Sequence, residues 1–277
     1  MTIKHHDLLE ITALKNFCDN LRELNDPVII KKNIEFLLHY YSVINFKLTP
    51  SSDKLLFRSR KANPSGFNNI SELNSPPSDL TQAGRLNESK KPILYLSQNI
   101  SSTFDEIRIE VGDYVQVAAY RPKMDIGPHV AIIGDIKEVF RWGSSRHSPV
   151  ISDYVSKTLR EMTQNESKAY LSYIYTDSFL SDLLTDKAAS TMGYIHTQSI
   201  GELLFKKHPH LDGVCYQGIE SEGAWNLALK CPSAEKLLEI ESVWLFKVEH
   251  LYGYGLYDHT LIKSAKRIEE NGHIHWV

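Results

Sequence analysis

The sequence predicts an α+β fold, with strands at the start, middle and end of the chain and helices gathered between them. Apolar side chains recur at helical spacing before residue 45 and again across 151–207, while the intervening segments alternate or run apolar over short stretches. A loop-rich stretch, 61–92, holds Pro64, Gly66, Pro76, Pro77, Gly84 and Pro92 and separates the early elements from the rest.

Residues 6–24 place Leu8, Leu9, Ile11, Leu14, Phe17, Cys18 and Leu21 on one face of an amphipathic helix. A second helix is expected over 31–43, with Ile34, Phe36, Leu37, Leu38 and Tyr41. From residue 46 the pattern turns to strands, beginning with Leu55-Leu56-Phe57-Arg58. Ile93–Ser97 reads as a short buried strand, 101–110 as a helix capped by Ser101, Ser102 or Thr103, and Tyr114–Ala118 as a strand. The stretch 122–150 reads as an insertion of loops. Helices are expected at 151–163, 168–184 and 190–207, strands near 213–217 and 225–230, and a strand-like segment at 237–250. The polar tail beyond Gly255 has no clear period. The expected organisation is a helical N-terminal extension, 1–45, ahead of a larger domain, 46–277, with its insertion near 122–150.

Charge excludes some partners. The 31 basic and 34 acidic residues create no global field to hold a polyanion, so direct nucleic-acid binding is not expected. No run approaches the ~18–20 apolar residues of a membrane span. Met1–Asp7 lacks the charged-then-apolar pattern of a signal peptide. Cys18, Cys215 and Cys231 are too scattered for a disulfide framework or a thiolate zinc site. The pairs His208/His210 and His273/His275 have no neighbours to complete a metal site, so no metal is expected. These features together suggest a cytoplasmic protein; a homo-oligomer is left open.

Four short segments carry candidate chemistry. They are Phe57-Arg58-Ser59-Arg60; Gly84-Arg85-Leu86-Asn87 with the strand Ile93–Ser97; Thr103-Phe104-Asp105-Glu106-Ile107-Arg108; and Asp212-Gly213-Val214-Cys215-Tyr216, followed by Gly223 and Asn226. In this order and spacing they resemble the RES family, named for its arginine, glutamate and serine. The resemblance spans about residues 55–230. It implies an ADP-ribosyltransferase-like fold of small β-sheets with surrounding helices, and the role of toxin in a bacterial toxin–antitoxin pair. It also implies NAD+ as substrate rather than as cofactor, and a cognate antitoxin as partner. By the same resemblance Arg58, Arg85, Tyr95 and Glu106 fall on the family's functional positions. The family's serine slot, two residues after Tyr216, holds Gly218, and Ser221 is the nearby hydroxyl that could serve instead.

These residue types suit NAD+. Guanidinium forks match phosphate oxygens, so Arg58 and Arg85 are candidate clamps for the pyrophosphate. Arg60 is expected to point away from Arg58 on an extended strand, which makes Arg58 the first choice of the two. The Gly84 turn, with Asn87, offers backbone donors to a phosphate. Cleavage of the nicotinamide–ribose bond spreads positive charge over the ribose, and a fixed carboxylate such as Glu106 stabilises that charge. Nicotinamide leaves as a neutral molecule, so a second carboxyl is not needed. Tyr95 is expected to stack on nicotinamide or bond the ribose, with Tyr216 on the same wall. The leading expectation is an NAD+ glycohydrolase or phosphorylase whose activity depletes NAD+ and arrests growth. Transfer of ADP-ribose to a protein target, and binding of a nucleotide without turnover, are the alternatives.

Overall fold

Leu14, Cys18 and Leu21 lie one turn apart and are buried, which fixes the inner face of helix α1 (Ile11–Glu23). The computed structural model describes residues 9–49, 55–123, 126–165, 167–220 and 223–277. Helix α2 (Pro27–Tyr40) starts where Asp26 accepts from Val28 N at 2.8 Å and Ile29 N at 3.2 Å, with Pro27 in the first turn. It buries Ile30, Ile34, Leu37 and Leu38. After strand β1 (Ile44–Lys47) come β2 (Leu56–Ala62), β3 (Ile93–Ser97), α3 (Ile100–Ile107), β4 (Tyr114–Pro122), β5 (His129–Ile132) and α4 (Asp135–Trp142). Helices α5 (Pro149–Asn165), α6 (Ser167–Thr185) and α7 (Ile195–Lys207) follow, then β6 (Gly213–Gln217), β7 (Trp225–Lys230), α8 (Cys231–Leu237), β8 (Leu238–Gly253), β9 (Leu256–Ile268) and β10 (Ile274–Trp276). The α+β class holds, and the N-terminal helices precede the strands.

The chain divides into two units. The first comprises Met1–Asn45, Ala83–Glu88 and Ala131–Gln217. In it α1 packs on α6, α2 on α7, and α4 and α5 on α6. The Gly84–Asn87 turn, closed by Gly84 N to Asn87 O at 2.9 Å, sits on α7 at Gly201. A Cβ on Gly201 would meet the Leu86 carbonyl oxygen at 2.8 Å, so only glycine permits this approach.

The stretch 122–150 is not a run of loops. It carries β5 and α4, because Val130–Ile133 and then Ile136 and Val139 are buried. The start of α4 depends on a distant residue. Its N-cap is Gly134, which has no side chain, and Asp177 of α6 accepts from Gly134 N and Lys137 N at 2.9 Å each. Tyr41 Oη donates to the same carboxylate at 2.5 Å. Burial pushes the Asp177 carboxyl up to about 6 against the opposing pull of these hydrogen bonds.

The second unit comprises Phe46–Gln82, Ser89–Val130 and Gly218–Val277. Its strands run in the order β7-β3-β2-β4-β8-β9-β10. Each neighbouring pair is antiparallel. One face carries a core of Phe104, Ile109, Val115, Val117 and Val248, against which Phe57, Ile100, Ile107 and Trp244 pack. The polar tail beyond Gly255 forms strands after all. Tyr254 (φ 55°) and Gly255 (φ 69°) make a two-residue turn between Gly253 and Leu256, which returns the chain as β9.

Candidate functional site

Helix α3 sets the position of Glu106. Its N-cap is Asn99, not one of the three hydroxyl residues expected: the Asn99 Oδ1 accepts from Ser102 N and Ser102 Oγ at 2.7 Å each. Phe104 faces the sheet, and the Thr103 hydroxyl bonds to Ser59 on β2. Thr103 and Glu106 are three residues apart and share a side of the helix, so the rotation that seats Thr103 also turns Glu106 toward β3 and β7. There Asn226 Nδ2 donates to Glu106 Oε1 at 2.8 Å, and Ile219 N approaches the same oxygen at 3.4 Å. Asn226 in turn accepts at Oδ1 from the Ser97 hydroxyl. No Lys or Arg among the described residues forms an ion pair with Glu106.

Register explains which side chains join it. Phe57 pairs with Ser97, and Ser97 with Asn226, so these three point to the side that α3 covers. Tyr95, two residues before Ser97 and opposite Ala228, points to the same side. Sequence reasoning missed Ser97, and it named Asn226 in the fourth segment without giving it a role at the site. The paired alternation of two polar residues in otherwise apolar strands was the available signal.

Arg58 lies on the other face. It pairs with Ala118 on β4 between Phe57 and Ser59, and alternation turns it away from α3 toward Tyr120. Burial lowers its pKa, Tyr120 opposes that shift, and Arg60 adds to it. Its Nε is buried without a hydrogen-bond partner, and no described carboxylate pairs with it. A cavity of about 220 Å³ opens on this face between Tyr120, Leu94, Asn74 and Cys231.

Arg60 does not point away from Arg58. Residues two apart on an unbulged strand share a face, and β2 pairs with β4 without a shift in register. Arg60 is bound elsewhere: Nη1 donates to the Glu72 carbonyl, Glu72 Oε2 stands 3.5 Å away, and the guanidinium lies 5.3 Å from the centre of the Phe67 ring.

Three candidates belong to the first unit. Arg85, 9% exposed, donates from Nη1 to the Asp186 carbonyl at 3.0 Å and lies 5.6 Å from the centre of the Tyr194 ring. Asn87 is buried in its turn, where Nδ2 donates to Glu88 O at 3.0 Å. Tyr216 is buried on β6. Ser221 lies outside the described residues, and Gly218 N donates to Ala224 O at 2.8 Å.

A family model of the RES domain matches residues 55–249. The chain belongs to the RES domain family. The matched segment runs from β2 into β8 and contains Arg58, Arg85, Tyr95, Glu106 and Asn226. No curated protein matches the sequence. Among solved structures, the MbcT–MbcA toxin–antitoxin complex of M. tuberculosis is similar at 13% identity and a TM-score of 0.36, over 76% of this chain and 89% of that one.

Other features of this RES-domain protein bear on the site. A groove of about 930 Å³ lies beside α3, lined by Asn99, Asp105, Arg108, Gly223 and Tyr254 among others. The Glu106 carboxylate is turned from it toward Asn226. Among the described residues no three His, Cys, Asp or Glu side chains cluster as metal ligands, and no helix is long and apolar enough to cross a membrane.

Proposed function

We propose that this RES-domain protein binds NAD+ and breaks its nicotinamide–ribose bond, with Glu106 as the catalytic carboxylate. The observation that carries the reading is the state of that group. Its bonds come from a side-chain amide and a backbone amide, both neutral, and no described cation cancels its charge. A carboxylate held but not neutralised is suited to stabilise the oxocarbenium-like ribose, whose positive charge grows toward the transition state. Nicotinamide departs neutral, so the step needs neither a proton donor nor a cofactor.

Arg58 faces the side of the sheet opposite Glu106, so it is not placed to grip the pyrophosphate of an NAD+ whose ribose meets Glu106, and the expected clamp is not retained. Tyr95 shares the Glu106 side of the sheet and is assigned to the nicotinamide or ribose.

Loss of cytoplasmic NAD+ would arrest growth, and the family membership supports a toxin held in check by an antitoxin protein. Induced expression tests this. Wild type is expected to empty the cellular NAD+ pool and stop growth, and Glu106→Ala to do neither. Full toxicity and full NAD+ loss with Glu106→Ala would remove the assignment. With adenine-labelled NAD+, label that stays in small molecules supports water or phosphate as acceptor. Label on a macromolecule supports protein ADP-ribosylation.

A further inference from the structure

Ser97 and Asn226 stand opposite each other in register across β3 and β7, 2% and 4% exposed. Polar groups buried so deeply require partners, and these two satisfy one another in one sense only. The Ser97 hydroxyl donates to Asn226 Oδ1, which leaves Nδ2 as the donor at 2.8 Å from Glu106 Oε1. With the amide turned over, Oδ1 would oppose a carboxylate oxygen, acceptor against acceptor. We infer that Asn226 is a positioning residue for Glu106, and that Ser97 fixes the amide orientation in which Asn226 does so. The inference rests on the role of Glu106 proposed above.

This arrangement has a chemical reason. A lysine or arginine in place of Asn226 would hold the carboxylate equally well but neutralise it before the ribose developed charge. An amide donor restrains Oε1 and leaves the negative charge to act on the substrate. It also sets the direction of Oε2. The helix alone does not, because a glutamate side chain on α3 has several staggered rotamers open to it.

The test uses the full chain, purified, with nicotinamide release giving kcat and KM for NAD+. Asn226→Asp keeps the shape and removes the donor, placing a second carboxylate against Glu106. A structural asparagine would tolerate Asp better than Ala. A positioning asparagine would make Asn226→Asp at least as damaging as Asn226→Ala, with kcat down about 100-fold and KM little changed. Ser97→Ala is expected to lower kcat in the same way, and Ser97→Thr, which restores the hydroxyl, to recover most of it. Should Asn226→Ala fail to fold, Asn226→Asp and the Ser97 pair decide. Wild-type kcat in Asn226→Asp, alongside an inactive Glu106→Gln, overturns the inference alone. Wild-type kcat in Glu106→Gln overturns the Glu106 reading and takes this inference with it.

Discussion

Arg58 and Arg60 share one face of β2, and among the described residues only Arg60 is matched by a carboxylate. The first is buried with Nε unbonded; the second is met by both the carbonyl and the carboxylate of Glu72. A buried charge kept without a counterion lowers stability. Arg58→Met should therefore raise Tm by about 2–4 °C, the shift that ~1 kcal/mol produces in a chain of this size. The same change should leave nicotinamide release from NAD+ little altered, because Arg58 faces away from Glu106. Thermal unfolding and nicotinamide release check the two halves. A lower Tm would mean that Arg58 is a structural residue.

Arg85 is predicted to behave in the opposite way. Its bond to the Asp186 carbonyl at 3.0 Å fastens the Gly84–Asn87 turn. Arg85→Ala should cost about 1.5–3 kcal/mol, the range for a hydrogen bond to a charged group. Urea unfolding measures the change, and an unaltered midpoint would free Arg85 from any structural duty.

Gly201→Ala is a sharper test of the same packing. On an exposed helix this change gains about 1 kcal/mol from helix propensity. Here the added methyl would meet the Leu86 carbonyl oxygen at 2.8 Å. The expected result is destabilisation by about 1–3 kcal/mol, seen in urea unfolding. A gain in stability would show that the turn does not rest on α7.

Asp177 gives the protein a pH-dependent stability. Burial raises its carboxyl from 3.8 to about 6, so between those values the folded chain keeps a proton that the unfolded chain releases. This contribution is complete below pH 3.8 and is lost as pH rises through about 6. One proton corresponds to a slope of about 1.4 kcal/mol per pH unit. Urea unfolding between these limits should show that loss in wild type and a flatter profile in Asp177→Asn. Equal slopes in the two proteins would place the titration elsewhere.

Much of the fold was legible because amphipathic period follows from local burial. Helices α1, α2, α5, α6 and α7 and strands β3, β6 and β7 all lie where periodicity and apolar runs suggest. Helix α4 was hidden because its cap, Asp177, is more than forty residues away in sequence, and capping rules look only at neighbours. Strand β9 was hidden because it is largely exposed and lacks an apolar period, its place being set by pairing with β8. The same division applies to the site. Motif order singled out Glu106, Tyr95 and Asn226, but not what each would touch. The role of Ser97 and the bond between Asn226 and Glu106 were not legible, because they depend on the pairing of β3 with β7. The facing of Arg58 required the register of β2 against β4.

Cleavage of the nicotinamide–ribose bond is proposed to depend on the Glu106 carboxylate. The most direct measurement is nicotinamide released from NAD+ by the purified chain, wild type against Glu106→Gln, which keeps the side chain's size and removes its charge. Wild type should release nicotinamide, and the variant should lose about 100- to 1,000-fold of that rate, the scale for removing one electrostatic stabiliser of a transition state. Equal release by the two proteins would contradict that dependence.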